Sequence, residues 1–211
     1  KVIDYKSGKT SFDLSRVYNG TQLQLTTYMN VAMNAYQLRY PEKEIVPAAK
    51  FYYRIDDPVL DYDAAASVED RERARLRKLM VDGLVNTELS VVQKLDTGIE
   101  KASDILPVTI RAGAVDATKK NVASAKRFRD LGRFVDRKMQ GFAQEIRDGR
   151  IRVDPIRIGT DTTACSWCPY HSICRFDPRI DGYAYRSGEK LSAEEIWNEI
   201  SPEEKSDAVD D

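Results

Sequence analysis

Asp4 and Lys6, near the start of the chain, are residue types that together could bind a metal ion and stabilise negative charge. They lie in a run, residues 1–6, that the apolar Val2-Ile3 pair and the Ser7-Gly8 stop predict to be a β-strand. Successive side chains of a strand point to opposite faces, so the carboxylate and the ammonium project from the same face. A carboxylate can hold Mg²⁺, and a nearby ammonium can stabilise charge on a phosphate. Taken alone, the pair is also typical of an ordinary surface ion pair.

Gln24 and Tyr28 form a second polar pair on the next predicted element. Thr21 is a candidate helix cap, and the pattern after it predicts a helix to about Arg39, ended by Pro41. Residues four apart lie on one face of a helix, so the amide and the hydroxyl could grip a phosphate or a base edge together. The alternative is that Tyr28 is a core residue and Gln24 has no function.

The three cysteines of the chain, Cys165, Cys168 and Cys174, fall within ten residues in a C-x2-C-x5-C pattern. Thiols at this spacing can converge on one point and bind zinc or an iron–sulfur cluster. An odd, clustered set is a poor disulfide framework, which favours reduced thiols in a cytoplasmic protein. His171 could complete a zinc site, but the loop would be tighter than in usual zinc knuckles. We therefore interpret His171 as a spacer and expect a fourth thiolate from elsewhere.

Several further elements must position these residues. The patterns predict strands over residues 45–55 and 104–111 and helices over 67–84, 122–148 and 192–200, followed by an acidic tail. In the 122–148 helix, one stripe is expected to be buried along its whole length: Val122, Ala125, Phe128, Leu131, Val135, Met139, Phe142 and Ile146. We expect three units, namely residues 1–160, a cysteine-rich loop over 161–190, and a short helix with its tail over 191–211.

Composition narrows the classes of protein that the chain can represent. With 33 basic and 34 acidic residues, the net charge of -1 gives no bulk attraction to nucleic acid, although a local basic face remains possible. No apolar run approaches the roughly 18–20 residues of a membrane helix, so a spanning protein is not expected. The chain begins with Lys1, directly before an apolar strand, and we expect it to be a piece of a longer protein.

The order of these motifs resembles the RecB-like branch of the PD-(D/E)xK nucleases, and within it the second, AddB-type chains of AddAB helicase–nucleases. The resemblance is carried by residues 2–8, 24–28 and 165–178, and by the Tyr-Tyr-Arg-Ile-Asp-Asp-Pro run that ends at Pro58. It implies an α/β fold in which a mixed sheet is flanked by helices. This restriction-endonuclease-like core would be truncated on its N-terminal side and would carry a cysteine-rich C-terminal loop.

The resemblance also implies a role for each motif. Asp4 would be the metal-binding acid, with the backbone carbonyl of Tyr5 as a further ligand, and Lys6 the catalytic lysine. Gln24 and Tyr28 would help to hold the DNA strand. The cysteines would supply three of four ligands of a 4Fe–4S cluster: Cys165, Cys168 and Cys174.

The activity implied is Mg²⁺-dependent phosphodiester hydrolysis at DNA ends during double-strand break repair, in a heterodimer with the AddA-type helicase–nuclease subunit. The family also has an acidic ligand on the preceding strand and a cysteine further upstream. Both lie outside these 211 residues, so we expect the chain alone to be inactive and unable to complete the cluster.

Two alternatives use the same motifs. A Cas4-type exonuclease shares them, but the long segment between Tyr28 and Cys165 argues against that compact group. A non-catalytic zinc-binding interaction module would use Cys165, Cys168, His171 and Cys174 as its ligands.

Overall fold

The computed structural model describes residues 1–8, 10–55, 58–60, 67–159 and 162–201, and the predicted acidic tail lies outside these ranges. The strands are β1 (Val2–Lys6), β2 (Ala49–Arg54), β3 (Asp82–Asn86), β4 (Ile110–Arg111), β5 (Ala114–Val115), β6 (Val122–Ala123), β7 (Ile156–Ile158), β8 (Thr162–Thr163) and β9 (Arg186–Ser187). The helices are α1 (Leu14–Tyr18), α2 (Gln24–Arg39), α3 (Val68–Lys78), α4 (Leu89–Leu95), α5 (Ala125–Arg147), α6 (His171–Cys174) and α7 (Ala193–Ile200). In this part of the chain, no helix is both long and apolar enough to cross a membrane.

The central sheet is mixed and has the strand order β1-β2-β3-β6. β1 runs parallel to β2, β3 runs antiparallel to β2, and β6 runs parallel to β3. The register aligns Asp4 with Tyr52 and Tyr52 with Asp82, so these three side chains form a row across one face. Among the described strands, β1 has a neighbour on one side only. The prediction of an α/β fold with a mixed sheet flanked by helices is confirmed.

Two apolar clusters cover the two faces of this sheet. The first packs α1, α2, α5 and α7 on the face that carries Asp4, and its fully buried members include Val17, Leu84, Leu131, Val135 and Ile196. The second lies on the opposite face and includes Phe51, Val85, Val92, Leu106 and Val122. α2 is therefore held between the sheet and α5, and its first turn lies at the edge where β1 ends.

The predicted helix over 67–84 is wrong in its second half. α3 ends at Lys78, and β3 begins at Asp82. Gly83 explains the change, because a Cβ at this position would lie 2.0 Å from the carbonyl oxygen of Lys50 on the neighbouring strand. Only glycine allows the two strands to approach this closely.

The predicted strand over 104–111 is also largely wrong. Ser103 accepts hydrogen bonds from the backbone N–H groups of Ile105 and Leu106, which turns the chain there. Regular pairing is confined to β4, which forms a short hairpin with β5. The apolar side chains that suggested a strand instead fill the second cluster from a loop.

The long helix predicted over 122–148 begins at Ala125, because Val122-Ala123 is strand β6 and the Ser124 hydroxyl caps the helix. Its stripe is buried only as far as Val135. The remaining apolar members are exposed, which contradicts the predicted continuous burial: Met139, Phe142 and Ile146. The second half of α5 therefore extends beyond the core.

Lys50 of β2 is a buried cation beneath the first turns of α2. Its side chain is 1% exposed, and its Nζ donates a 2.7 Å hydrogen bond to Thr26 Oγ1. The aromatic rings of Phe12 and Phe128 lie 5.4 and 5.7 Å from the same nitrogen, and no carboxylate of the described residues pairs with it. Burial lowers the pKa of Lys50 to about 7.

This burial predicts that the stability of the fold depends on pH. Between pH 7 and about 10.4 the unfolded state binds a proton at Lys50 that the folded state has lost, so stability rises with pH by up to roughly 1.4 kcal/mol per unit. Urea unfolding of the chain between pH 6 and 10 should show this rise in the wild type and lose it in Lys50→Met. The exposed Lys94→Met serves as the control and should keep the wild-type slope. Parallel curves for the wild type and Lys50→Met would contradict the assignment.

Candidate active site

The end of β1 and the start of α2 bring the predicted catalytic residues together. α2 begins at Gln24, three residues after the Thr21 cap predicted from the sequence. Gln22, just before it, accepts a hydrogen bond from Asp13 N and donates one to Ser11 O, which fixes the chain between β1 and α2. The helix consequently presents Gln24 directly to the last residue of β1.

A continuous chain of polar contacts connects the four side chains. Lys6 Nζ lies 3.0 Å from Asp4 Oδ2 and donates a 2.9 Å hydrogen bond to Gln24 Oε1. Gln24 Nε2 in turn donates a 2.8 Å hydrogen bond to the Tyr28 hydroxyl. The alternative that Tyr28 is a core residue is wrong, because this side chain is 46% exposed. The spacing of Asp4 and Lys6, and that of Gln24 and Tyr28, predicted that each pair lies on one face. In the structure the two pairs also contact each other.

Asp4 carries a feature that a surface ion pair does not require. Its Oδ2 is buried, and among the described residues its partner is the Lys6 ammonium, which forms an ion pair with it at 3.0 Å without hydrogen-bond geometry. Buried carboxylate oxygens are normally satisfied by donors, and a hard cation is the alternative partner. The Asp4 carboxylate is thus an oxygen ligand of the kind that a divalent metal ion takes.

Tyr5 can contribute only through its backbone. Its ring points to the opposite face of the sheet, where it is 61% exposed and packs edge-on against Tyr53 with ring centroids 5.6 Å apart. The carbonyl of Tyr5 lies in the backbone between Asp4 and Lys6.

Tyr52 and Asp82 extend the site along the row that begins at Asp4, and the sequence motifs gave neither residue a role. Burial raises the pKa of Tyr52, and the negative charges of Asp4 and, to a smaller extent, Asp82 raise it further. The positive charge of Arg16 in α1 lowers the same pKa, but not enough to reverse the shift. The Lys6 ammonium lies 5.6 Å from the centre of the Tyr52 ring. Asp82 was missed because its segment was predicted to be helical.

The row also separates its two carboxylates. Neighbouring strands lie about 4.8 Å apart, so Asp4 and Asp82 are roughly 10 Å apart across Tyr52, too far to bind one ion together. Within the described ranges, no three His, Cys, Asp or Glu side chains are grouped so that they could hold a metal ion.

The three cysteines likewise form no metal-binding group within the described ranges. A turn joins Cys165 and Cys168 through a 3.2 Å backbone hydrogen bond, and Cys174 ends α6. Cys165 is half-buried, the other two are exposed, and the three thiols are not gathered about one point. The loop also leaves large side chains in solvent, with Trp167 93% and Ile173 78% exposed.

The fold is α/β, with a mixed sheet whose first strand carries Asp4 and Lys6. Gln24 and Tyr28 lie beside them on helix α2, and this combination is typical of nucleases. In agreement, residues 1–175 match the PD-(D/E)XK nuclease superfamily. The chain belongs to this superfamily.

Similar proteins cover almost the whole chain, and each is the B-type subunit of an ATP-dependent helicase/deoxyribonuclease. The chain is 36% identical to the one from Lachnoclostridium phytofermentans over 97% of its length, and 34% identical to the one from Clostridium kluyveri over 95%. The protein of the same name from Thermoanaerobacter sp. (strain X514) is 32% identical over 98% of the chain. The chain spans only 17–18% of the length of these curated relatives.

The buried Asp4 carboxylate, as an oxygen ligand of the kind Mg²⁺ takes, predicts that a divalent cation stabilises the folded chain. A ligand that binds only the folded state raises the unfolding midpoint, so millimolar Mg²⁺ should raise the wild-type Tm by a few degrees. Asp4→Asn should abolish the increase, whereas the exposed Asp154→Asn should keep it. Differential scanning calorimetry with and without Mg²⁺ measures the effect, and an equal rise in Asp4→Asn would place the cation elsewhere.

Proposed function

We propose that the chain is the nuclease portion of one polypeptide of an ATP-dependent helicase–exonuclease, which degrades DNA ends during double-strand break repair. The observation that carries the proposal is the buried Asp4 oxygen in an ion pair with Lys6, whose ammonium is linked by hydrogen bonds to Gln24 and, through it, to Tyr28. The relatives are named as parts of a helicase/deoxyribonuclease, which supports the same assignment. The partners would be DNA ends and the AddA-type subunit of the heterodimer, in the cytoplasm.

In this proposal Asp4 and the carbonyl of Tyr5 would hold Mg²⁺. Bound there, the ion would supply Lewis acidity that activates a water and neutralises phosphoryl charge. The Lys6 ammonium is partly exposed and carries three N–H donors. One of them donates to Gln24, and the ammonium also forms an ion pair with Asp4. Lys6 can therefore face a phosphate and stabilise the negative charge that develops during hydrolysis.

Gln24 and Tyr28 would hold the DNA strand next to this lysine. The Tyr28 oxygen accepts from Gln24, which leaves its own O–H free to donate to a phosphate oxygen. Because Gln24 also accepts a hydrogen bond from Lys6, the strand-holding pair and the lysine are directly linked. This coupling would align the DNA backbone with Asp4.

A second metal-binding acid would come from a strand outside this chain. β1 is at an edge of the sheet and its outer side has no partner among the described strands. A strand pairing there would place its side chains about 4.8 Å from Asp4, within reach of a shared ion, unlike Asp82. We propose that the family's preceding acidic strand occupies this edge.

The nuclease assignment predicts a loss of cleavage on substitution at either end of the Asp4–Lys6 pair. In the complete polypeptide to which these residues belong, Asp4→Asn and Lys6→Ala should each lower Mg²⁺-dependent DNA hydrolysis by at least about 100-fold, because each removes charge stabilisation in the transition state. The measurement is release of nucleotides from end-labelled DNA.

Asp154→Asn and Lys94→Ala are matched exposed controls and should cleave normally. The Asp4 and Lys6 variants should bind DNA and fold as the wild type does, so the loss would be in turnover. Wild-type rates in Asp4→Asn or Lys6→Ala would refute the assignment.

We further propose that Cys165, Cys168 and Cys174 supply three ligands of a 4Fe–4S cluster, with a fourth cysteine outside this chain. In the present arrangement the thiols do not fit a cluster, so binding would have to draw the loop together. The exposed Trp167 and Ile173 support this, since the loop has little apolar packing beyond Phe176 against Tyr183 and Tyr185. Metal binding commonly supplies the folding energy that such segments lack.

The cysteine proposal predicts different effects for Cys174→Ala and His171→Ala. In the complete polypeptide, purified without oxygen, Cys174→Ala should lose iron and become more sensitive to proteolysis around residues 162–185. His171→Ala should retain iron, because we interpret His171 as a spacer. Iron and zinc contents measured beside limited proteolysis distinguish the outcomes.

Loss of zinc in His171→Ala, with no iron in the wild type, would favour the zinc-binding module instead. That result would leave the nuclease site intact, because the cleavage test does not depend on the cysteines. The Cas4-type alternative is disfavoured, since relatives of another kind match 95% or more of the chain.

A further inference from the structure

The ring of Tyr52 lies next to the Lys6 ammonium on the face of the sheet that carries the candidate active site. Lys6 Nζ is 5.6 Å from the centre of this ring, within the range in which an aromatic face attracts a cation. The register of β1 and β2 pairs Tyr52 with Asp4, so the ring also lies beside the carboxylate of the ion pair. Tyr52 is 4% exposed, and packing therefore fixes its ring in this place.

The contacts of Lys6 turn its ammonium back along the strands. Its own partner in the register is Arg54, an exposed residue at the end of β2 whose like charge repels it. Asp4 and Tyr52 lie one pair further back on the same face, and the ammonium contacts both of them. Gln24 of α2 accepts its hydrogen bond. The ammonium is thus directed away from Arg54 and towards the Tyr52 ring.

We propose that Tyr52 is a positioning residue, whose ring holds the Lys6 ammonium where it stabilises the transition state of phosphodiester hydrolysis. The inference rests on the proposed nuclease function and adds a residue that acts through Lys6 rather than on the DNA. Asp4 alone would hold the lysine less firmly once its carboxylate ligates Mg²⁺, because two cations then compete for the same oxygens. A neutral ring has no such competitor, so it can keep the ammonium at the site when the metal ion is bound.

The aromatic ring, and not the hydroxyl, carries this role. The face of an aromatic ring is negative, whereas an aliphatic side chain that fills the same space has no charge to offer a cation. Within the described ranges, the Tyr52 hydroxyl makes no hydrogen bond, so its loss removes no contact. Phenylalanine should therefore replace Tyr52, and leucine should not.

The test measures the single-turnover rate at which the complete polypeptide cleaves a short, end-labelled single-stranded DNA oligonucleotide with Mg²⁺ and without ATP. Tyr52→Leu should lower this rate about five- to tenfold, the value of one cation–ring contact. The affinity for the oligonucleotide should change less than about twofold, since Lys6 acts on charge that develops in the transition state. Tyr52→Phe keeps the ring and should cleave within about twofold of the wild-type rate.

Phe51→Leu is the matched control for packing. Phe51 is the neighbouring residue of β2, is 2% exposed and belongs to the second apolar cluster on the opposite face. This variant should lower the unfolding midpoint about as much as Tyr52→Leu does, because both remove a buried ring, but it should cleave at the wild-type rate. An equal loss of cleavage in Phe51→Leu would make the effect structural and overturn the proposal. A wild-type rate in Tyr52→Leu, or an equal loss in Tyr52→Phe, would overturn it as well.

A double-mutant cycle tests whether Tyr52 acts through Lys6. In a Lys6→Ala background, followed over longer times, Tyr52→Leu should lower the residual rate less than about twofold, because the contact is already gone. A full five- to tenfold further loss would contradict the proposed coupling.

A second variant covers the case in which Tyr52→Leu does not fold. Tyr52→Phe with fluorine substituents on its ring keeps the shape and weakens the negative face, so it should cleave more slowly than ordinary Tyr52→Phe. Equal rates would overturn the proposal. If Asp4→Asn and Lys6→Ala cleave normally, the nuclease function itself fails; if they are inactive and Tyr52→Leu is normal, only the role of Tyr52 fails.

Discussion

The site depends on one interaction, the ion pair between the buried Oδ2 of Asp4 in β1 and the Lys6 ammonium 3.0 Å away. A charge in this position must be balanced by its surroundings, and the surroundings are organised accordingly. The Lys6 ammonium lies beside it, Gln24 holds that ammonium from α2, and Tyr52 fills the space on the next strand. α2, the sheet register and the polar contacts together place these groups around Asp4, where the proposed Mg²⁺ would bind.

The sequence predicted that Asp4, Lys6, Gln24 and Tyr28 would lie together because they are close in the chain and obey simple periodicities. Side chains two residues apart in a strand, or four apart in a helix, lie on the same face whatever the rest of the fold is. Tyr52 and Asp82 could not be found in this way, since their place in the site comes from the pairing of strands that are distant in the chain. The signal that was available for β3 is Gly83, which interrupts the apparent helix that precedes it.

The other errors have the same origin, because apolar spacing reports what could be buried and not what is. Met139, Phe142 and Ile146 continue the stripe of α5 but remain exposed, whereas Leu106 and Val108 are buried from a loop. Lys50 shows the converse, since nothing in its type indicates that it lies fully buried between two phenylalanine rings. The cysteine pattern was visible from residue type and spacing alone. How the three thiols are arranged in space depends on contacts between distant parts of the chain, which periodicity does not describe.

The outer side of β1, which pairs with none of the described strands, has a practical consequence for the isolated chain. An edge strand presents free N–H and C=O groups that can template pairing with another molecule, and natural proteins usually cover or charge such edges. In β1 the exposed ring of Tyr5 adds apolar surface beside this edge. The strand that bears Asp4 and Lys6 is thus also the point from which separate copies of the chain would begin to aggregate, so the solubility of the chain and the integrity of the candidate site depend on the same five residues.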